Sequence, residues 1–265
     1  MPNHVYNLKL SYLDGSEMKY EYERHLAQTL PEQVDLRPYC PPVYDQGNQG
    51  SCTANAGCAA RSMLEGNPEL YFSRAFQYYM ERSLEGTTDE DAGASMKDVV
   101  LSLKRFGVCL DADMPYVPGD YKTPPTEQAK KNALQYKISG GELLNGLVAI
   151  QTALAIRRQP VLLGMKVFSS MESKLVAKTG VLPMPGSRDA DLGGHAVLAV
   201  GYTPALTSLE GIAAQKAAKK SAKSPAGYLV VRNSWGPSWG DKGYFYMPYA
   251  YVEKEYAFEA WIMEK

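Results

Sequence analysis

Residues 46–56 read QGNQGSCTANA, a glycine-punctuated loop that runs into an alanine-rich segment. The pattern predicts a helix that begins near Cys52, has Ser51 as its N-cap and stops at Gly66. A thiol in the first helical turn lies at the positive end of the helix dipole, so we expect Cys52 to ionise well below the ~8.5 of a free cysteine. The alternative is a small, buried, apolar cysteine without chemistry.

Two later apolar stretches each carry a polar residue. These residues favour a catalytic role for Cys52 over that of a buried structural cysteine. Residues 192–202 read LGGHAVLAVGY, in which glycines give access to His195 and a buried strand follows. Residues 228–236 read YLVVRNSWG, a second apolar strand that ends at Asn233. The sequence therefore offers a thiol, an imidazole and an amide, each next to a predicted helix or strand.

These three stretches resemble the papain family of cysteine peptidases, in a pattern most similar to its bacterial members. The resemblance implies that Cys52 is the nucleophile, that His195 is the general base and acid, and that Asn233 orients the imidazole. It also implies that Gln46 stabilises the oxyanion and that Trp235 shields the bond between asparagine and histidine. A peptidase of this kind needs neither a metal nor an organic cofactor.

The similarity covers about residues 30–265, because PEQVDLR at residues 31–37 resembles the start of the mature enzymes. Two positions depart from the family pattern. The family usually has a cysteine three residues before the nucleophile and an aromatic residue just after it, whereas this chain has Gln49 and Thr53. The usual disulfide beside the site is therefore absent.

The resemblance implies an α+β fold with two halves and an active-site cleft between them. The helical left half would span about residues 51–118, and the right half, resembling an antiparallel β-barrel, about residues 128–265. Local patterns predict helices that follow Ser73, run from Met96 to Phe106 and run from Ile150 to Arg157. An Ala/Lys-rich insertion at residues 203–227 predicts a solvated surface helix or loop, with a basic docking patch as the alternative.

The resemblance also implies a set of residues that contact the substrate. A glycine near the start of the third helix would present its backbone, small neighbours would form the pocket wall, and two residues of the right half would form the hydrophobic S2 pocket. These residues are Gly93, Ala94, Ser95, Gly164, Met165 and Trp235.

The remaining cysteines give a conditional prediction about the compartment. Cys58 is expected to be a buried thiol. Cys40 and Cys109 could be brought together by the fold, so we expect a disulfide between them, provided that their Cα atoms lie within ~7 Å. The chain shows no secretory signal. We expect a cytoplasmic protein by default, and a secreted one if the disulfide forms.

Residues 1–29 precede the part that resembles the mature enzyme. Apolar and polar residues alternate from residue 5 to residue 23 on both sides of Asp14-Gly15, which predicts a β-hairpin. One interpretation is a short prosegment that restrains the enzyme by lying against the cleft, as in a zymogen. The other is an extra hairpin on the sheet.

Composition excludes several other classes of function. The chain has 265 residues, with 28 basic against 29 acidic side chains, so charge does not indicate a nucleic-acid partner. The apolar runs are far shorter than the ~20 residues of a membrane span. The sequence thus predicts a cysteine endopeptidase that acts on peptide or protein substrates through a thioester. The alternatives are a catalytically silent binding protein and a cysteine acyltransferase or ligase.

Overall fold

The computed structural model describes residues 4–21, 29–206 and 226–265. Its α-helices are α1 (Cys52–Glu65), α2 (Arg74–Glu85), α3 (Met96–Arg105), α4 (Glu127–Ala133), α5 (Gly146–Thr152), α6 (Lys174–Thr179) and α7 (Ala250–Glu253). Its strands are β1 (Val34–Asp35), β2 (Gly140–Leu143), β3 (Val161–Phe168), β4 (Asp191–Thr203), β5 (Tyr228–Arg232), β6 (Tyr244–Pro248) and β7 (Ala257–Glu264). Most of the predicted insertion, residues 207–225, lies outside the described residues.

The strands form one antiparallel sheet in the order β2-β7-β3-β4-β5-β6, and β1 pairs with the end of β4. The long strands β3 and β4 form its centre, where Met165 pairs with His195. On the other side of β4, Leu198 pairs with Arg232 of β5. Since β4 and β5 are antiparallel, the residue after β5 lies beside the first half of β4. This register brings Asn233 towards His195.

Helix α1 is the centre of the helical half, and its residues from Cys52 to Ser62 are all buried. It packs against α2 and α3 on one side and against β4 and β3 on the other. At Gly57 an added Cβ would lie only 2.6 Å from a methyl carbon of Val99 on α3, so glycine allows the two helices to approach closely. The helix ends at Gly66 with φ 67°, which confirms the predicted stop.

The helical predictions from local patterns are confirmed in outline. Ser73 caps α2, since its side chain accepts a hydrogen bond of 3.0 Å from the amide of Phe76. The helix predicted from Ile150 to Arg157 consists of the end of α5 and a π-helical turn over Ala153–Arg157. None of the helices in the described ranges is long and apolar enough to cross a bilayer.

The prediction of a disulfide between Cys40 and Cys109 is wrong, because all four cysteines are free thiols. Cys40 lies at the end of a 3-10 turn, with its sulfur 3.6 Å from the carbonyl oxygen of Leu36 and 3.6 Å from the sulfur of Met63. Cys109 is buried, and its carbonyl accepts the amide of Ser73 at 2.9 Å. Each cysteine is therefore part of a separate local contact.

The described residues of the N-terminal segment do not form the predicted hairpin. Residues 4–20, which we call the strap, lie across both halves of the molecule. The chain bends at the predicted Asp14-Gly15 position, where Gly15 has φ 85° and its amide donates to Glu17 at 2.9 Å, but the two arms do not pair with each other. Their isolated β-bridges join Asn7 to Gly194, Lys9 to Ser95 and Lys19 to Leu143. The alternation in the sequence identifies an extended segment, but its partners are the cleft walls. The alternation of residues 5–23 would place Leu8 and Leu10 on the same side, but Leu8 is 8% exposed whereas Leu10 is 76% exposed.

Candidate active site

Cys52 is the first residue of α1 and is fully buried. Ser51 occupies the N-cap position as predicted, but its side chain does not cap the helix; instead its Oγ lies 2.6 Å from the hydroxyl of Tyr116. The backbone amides of Ala196, Thr53 and Cys52 itself act on the sulfur and favour the thiolate. The local dipoles around this thiol thus have the sign that a nucleophile requires.

His195 and Asn233 come together as the register of β4 and β5 requires. His195 Nε2 lies 2.9 Å from Asn233 Oδ1, which also accepts the amide of Ser234 at 2.9 Å. His195 Nδ1 has no hydrogen-bond partner among the described residues. Because the amide of Ala196, the next residue, acts on the sulfur of Cys52, the imidazole and the thiol share one corner of the cleft.

Tryptophan rings cover the hydrogen bond between His195 and Asn233. The indole of Trp235 stacks on the imidazole with the ring centroids 5.0 Å apart and the planes at 24°. Trp239 meets Trp235 edge-on at 4.8 Å. These apolar rings keep water from the bond, and a hydrogen bond in such surroundings is electrostatically stronger than one in water.

Hydrogen bonds hold Gln46 in place, six residues before Cys52. Its Nε2 donates to the carbonyl of Gln49 at 2.9 Å, and its Oε1 accepts the hydroxyl of Ser234. Its backbone carbonyl accepts the hydroxyl of Tyr116 at 2.9 Å. Because a primary amide has two N–H donors, one donor of Gln46 remains for a second acceptor such as an oxyanion.

The strap crosses the predicted substrate-binding wall. Gly93 has φ 70°, and a Cβ there would lie 2.0 Å from the carbonyl oxygen of Asn7, so only glycine allows the strap to lie this close. The carbonyl of Ala94 accepts the amide of Lys9 at 3.0 Å. Ser95 lies along the same wall, where its side chain caps α3. The three predicted residues therefore contact an extended peptide, which belongs to the chain itself.

The predicted hydrophobic pocket is also occupied by the strap. An added Cβ on Gly164 would lie 3.2 Å from a methyl carbon of Leu8 and 3.1 Å from the ring of Phe258. Met165, the next residue of β3, is buried and pairs with His195. Sequence reasoning did not find Phe258, because the apolar residues of β7 give no sign of which one reaches the pocket.

Two aromatic residues of the strap contact the rings of Trp235 and His195. His4 stacks on Trp235 with centroids 3.9 Å apart and planes at 8°, and Tyr6 meets His195 edge-on at 6.1 Å. Both also hydrogen-bond to Glu172, His4 through Nδ1 at 2.9 Å. The strap thus contacts both walls of the cleft and the histidine between them.

Burial changes the ionisation of Cys52 and His195. Desolvation raises the pKa of Cys52 to about 12 and lowers the pKa of His195 to about 4. The expectation of a lowered thiol pKa is therefore wrong for the covered cleft, because the loss of water outweighs the favourable amide dipoles. At neutral pH both side chains are uncharged in this state.

A buried carboxyl group on α2 lies under the start of α1. Glu81 accepts the hydroxyl of Thr53 at 2.6 Å and the side-chain amide of Gln77 at 2.9 Å. Burial raises the pKa of Glu81 to about 8, and its charge contributes to the raised pKa of Cys52. Sequence reasoning could find no more here than an acid at an inward position of a predicted helix. No group of three or more metal-binding side chains occurs in the described ranges.

Residues 30–260 match the family described as papain family cysteine protease. The chain belongs to the papain family of cysteine proteases. It is therefore a hydrolase, and the predicted papain-like fold is confirmed. The matched residues include Cys52 at the start of α1 and the hydrogen-bonded pair of His195 and Asn233.

Relatives of known sequence extend this assignment over nearly the whole chain. An uncharacterized peptidase C1-like protein of Acanthamoeba polyphaga mimivirus is 34% identical over 98% of this chain and 77% of its own length. Cysteine protease 1 of Oryza sativa is 30% identical over 88% of this chain, but the match spans 44% of that protein.

Solved structures of this family share the architecture. Xylellain, a cysteine protease from Xylella fastidiosa, has a TM-score of 0.81 and 31% identity, with 98% of this chain and 96% of that one covered. Procathepsin L 3 of the Tenebrio molitor larval midgut has a TM-score of 0.66 at 19% identity, with 100% and 76% covered, which supports the fold alone. The similarity to xylellain agrees with the predicted resemblance to bacterial members.

Proposed function

We propose that the chain is an endopeptidase that hydrolyses peptide bonds through Cys52, His195 and Asn233. The observation that carries this proposal is the 2.9 Å bond between His195 Nε2 and Asn233 Oδ1, which leaves Nδ1 for the corner shared with Cys52. An imidazole bound in this way has a fixed tautomer and orientation. The amides around the sulfur favour the anion that the reaction requires.

The reaction follows from these positions once the cleft is open. Nδ1 of His195 takes the proton of the Cys52 thiol. The resulting thiolate attacks the carbonyl carbon, and the electron pair of the C=O bond moves to oxygen. The backbone amide of Cys52 and the side-chain amide of Gln46 stabilise that oxyanion. As the C–N bond breaks, His195 gives its proton to the leaving amine, and a thioester remains. A water molecule that loses its proton to His195 then releases the acid and restores the thiol.

The test combines a titration with turnover. An epoxide that alkylates thiols would count reactive Cys52, and a fluorogenic dipeptide would then be assayed with and without an added amine. We expect one modified cysteine per chain, loss of all turnover with that modification, and a free acid as the main product. A chain that binds the peptide but is neither alkylated nor active would be a binding protein. A chain that transfers the acyl group mainly to the amine would be a transferase.

We further propose that the strap restrains the enzyme. The amides of Leu8 and Lys9 hydrogen-bond to carbonyls on opposite walls, Gly194 at 3.2 Å and Ala94 at 3.0 Å, along the line that a substrate must occupy. Because the strap is covalently part of the chain, its effective concentration is high, and weak contacts suffice to exclude substrate. A chain that begins at Leu30 should turn over small peptides faster than the full chain. Equal rates from two folded proteins would refute the restraint.

The strap also supports a proposal about substrate preference. Leu8 fills the space between Gly164 and Phe258, so the pocket accepts a branched apolar side chain of this size. A hydrophobic pocket discriminates by about tenfold or more for each missing methylene group. Peptides with leucine at the residue that enters this pocket should therefore react at least about tenfold faster than peptides with alanine. A Phe258→Ala variant should lose that preference, and a flat profile in both proteins would contradict the assignment.

A further inference from the structure

Two loops of the helical half meet beside the nucleophile. The nucleophile loop, residues 46–51, ends at Cys52, and the wall loop, residues 87–95, carries the backbone that contacts the strap. The family usually has a cysteine where this chain has Gln49. In this chain hydrogen bonds, and not a disulfide, join the two loops. The side chain of Gln49 turns away and accepts the amide of Gly119 at 2.9 Å.

A carboxylate of the wall loop binds the nucleophile loop directly. Asp91 accepts the amide of Gly50 at 3.0 Å on each of its two oxygens. The same carboxylate accepts the hydroxyl of Tyr78 on α2. The amide of Gly50 lies two residues before Cys52, whose own amide is one of the two proposed oxyanion donors. A displacement of this loop therefore moves a donor as well as the sulfur.

Tyr78 connects the carboxylate to the substrate-binding wall. Its hydroxyl donates to Asp91 and accepts the amide of Gly93 at 3.1 Å. Its side chain is fully buried, and the guanidinium of Arg82 lies 4.2 Å from its ring centroid. Desolvation, followed by the bond to Asp91, raises the pKa of Tyr78, so the hydroxyl keeps its proton and remains a donor.

Arg82 fixes the turn that precedes the carboxylate. It is fully buried on α2 and donates to the carbonyls of Thr88 at 2.7 Å and Glu90 at 2.9 Å. These bonds anchor the wall loop to α2, which itself packs on α1. Asp91 is thus presented from a rigid turn, and its carboxylate needs no reorganisation to receive the amide of Gly50.

We propose that Asp91 is a positioning residue that sets the distance between the nucleophile loop and the substrate-binding wall, and that Tyr78 extends its reach to Gly93. The inference rests on the proposed peptidase function and adds a residue to it. A hydrogen bond to a charged group is among the stronger ones in proteins. One carboxylate therefore aligns the oxyanion donors with the backbone that holds the substrate.

The test separates alignment from general loss of structure. Attack on a peptide carbonyl needs both the thiolate and the oxyanion donors, whereas alkylation of Cys52 by iodoacetamide needs the thiolate and develops no oxyanion. Both reactions require an open cleft. The ratio of peptide kcat/KM to the alkylation rate constant is therefore insensitive to how often the strap opens, and it reports alignment.

We would measure this ratio in the full chain, in Asp91→Ala and in Tyr78→Phe, which keeps the ring over Arg82. Asp91→Ala should lower the ratio about tenfold or more, up to the ~100-fold that loss of an oxyanion donor costs. Tyr78→Phe should lower it less and in the same direction, and Asp91→Asn should fall between wild type and Asp91→Ala. The matched control is Asp89→Asn, a charge loss at an exposed position of the same loop, which should leave the ratio unchanged.

The outcomes distinguish the two proposals. An active, alkylated wild type with an unchanged ratio in both Asp91→Ala and Tyr78→Phe would overturn the positioning role alone. A wild type without peptide turnover, or one whose turnover survives modification of Cys52, would overturn the peptidase proposal and this inference with it. If Asp91→Ala does not fold, the ratio in Tyr78→Phe and Asp91→Asn decides the question.

Discussion

The contact of Leu8 with the hydrophobic pocket offers a direct test of the strap. Leu8 is 8% exposed, and its side chain lies between Gly164 and Phe258. The change Leu8→Ala removes three buried carbon atoms from the closed state and leaves the backbone bonds of the strap in place. Leu10, two residues later on the same strap, is 76% exposed, so Leu10→Ala is a matched control with the same change in composition.

The expected magnitude follows from the buried surface. At ~0.8 kcal/mol for each buried CH₂ group, the three carbons of Leu8 contribute about 2 kcal/mol to the closed state, with a small deduction for residual exposure. A change of 1.36 kcal/mol corresponds to tenfold, so the ratio of open to closed chains should rise about 30-fold in Leu8→Ala. Leu10→Ala should alter this ratio less than about twofold, because its side chain is exposed in both states.

The assay is the alkylation of Cys52 by iodoacetamide in the full chain at pH 7. While the strap is mostly closed, the rate is proportional to the open fraction. It should therefore rise about 30-fold in Leu8→Ala, unless it first reaches the ceiling set by a chain that begins at Leu30. Circular dichroism would establish that both variants are folded. Equal rates for Leu8→Ala and Leu10→Ala would refute the idea that the pocket contact holds the cleft closed.

Four further predictions concern the site and the cysteines. Cys52→Ala and His195→Ala should each abolish peptide turnover, while Asn233→Ala should retain part of it, because asparagine orients the base without transferring the proton; comparable kcat/KM values for all three would contradict these roles. Glu81→Gln should lower the pKa of Cys52, since it removes a carboxyl group with a pKa of about 8 whose charge opposes the thiolate; an unchanged pH profile of alkylation would disprove the coupling. Reducing agents should leave the melting temperature unchanged, because the four cysteines are free; a lower value in a reduced sample would reveal a disulfide. In a His4→Phe variant, protection of the strap amides from hydrogen exchange, corrected for intrinsic rates, should decrease as the pH falls from 6.5 towards 4.

The arrangement of the reacting residues could be predicted because each lies next to a strong local signal. A small-residue helix begins at Cys52, and apolar strands surround His195 and precede Asn233. Strands β4 and β5 are neighbours in the sheet, so a polar residue at the end of one reaches the other. The family pattern implies the proposed roles, and the register of the sheet explains how His195 and Asn233 come together.

The position of the N-terminal segment could not be predicted from the sequence. Alternation of apolar and polar residues identifies an extended segment without identifying its partner. Backbone groups of the strap bond equally well to a second strand or to the walls of a cleft. The contrast between Leu8 and Leu10 depends on the pocket beside Gly164, which is built from strands far along the chain. The disulfide failed for a similar reason, since sequence does not give the distance between Cys40 and Cys109.

The residues that support the site could not be predicted, because their local sequence patterns are ordinary. Asp91 lies in an acidic turn that resembles a solvated loop, and its carboxylate has a structural role because Gly50 and Tyr78 approach it. Glu81 and Tyr78 lie on an amphipathic helix whose inward face predicts burial without naming partners. Phe258 is one of several apolar residues in β7. In each case the decisive information is a contact between segments distant in sequence.

If the strap restrains the enzyme as proposed, the closed state both excludes substrate and keeps the thiol uncharged, because Cys52 is fully buried in it. With water excluded, the pKa of Cys52 is about 12 and that of His195 about 4, compared with ordinary values of 9.0 and 6.5. Opening restores water, and the helix dipole and the amides around the sulfur then favour the thiolate.

The closed state therefore disfavours protonation of His195, because burial lowers the pKa of this side chain. Closing is most favourable above pH 6.5 and weakens as the pH falls towards 4. The closed state also disfavours ionisation of Cys52, whose raised pKa means that closing weakens as the pH rises above the pKa of the open-state thiol towards 12. The His4→Phe variant removes the hydrogen bond between His4 and Glu172, so the pH dependence of the remaining protection reports the burial of His195. In His4→Phe, a strap that acted only as a steric cover would protect its amides from hydrogen exchange equally at pH 4 and pH 7. A strap that also removes water from His195 must lose that protection as the pH falls.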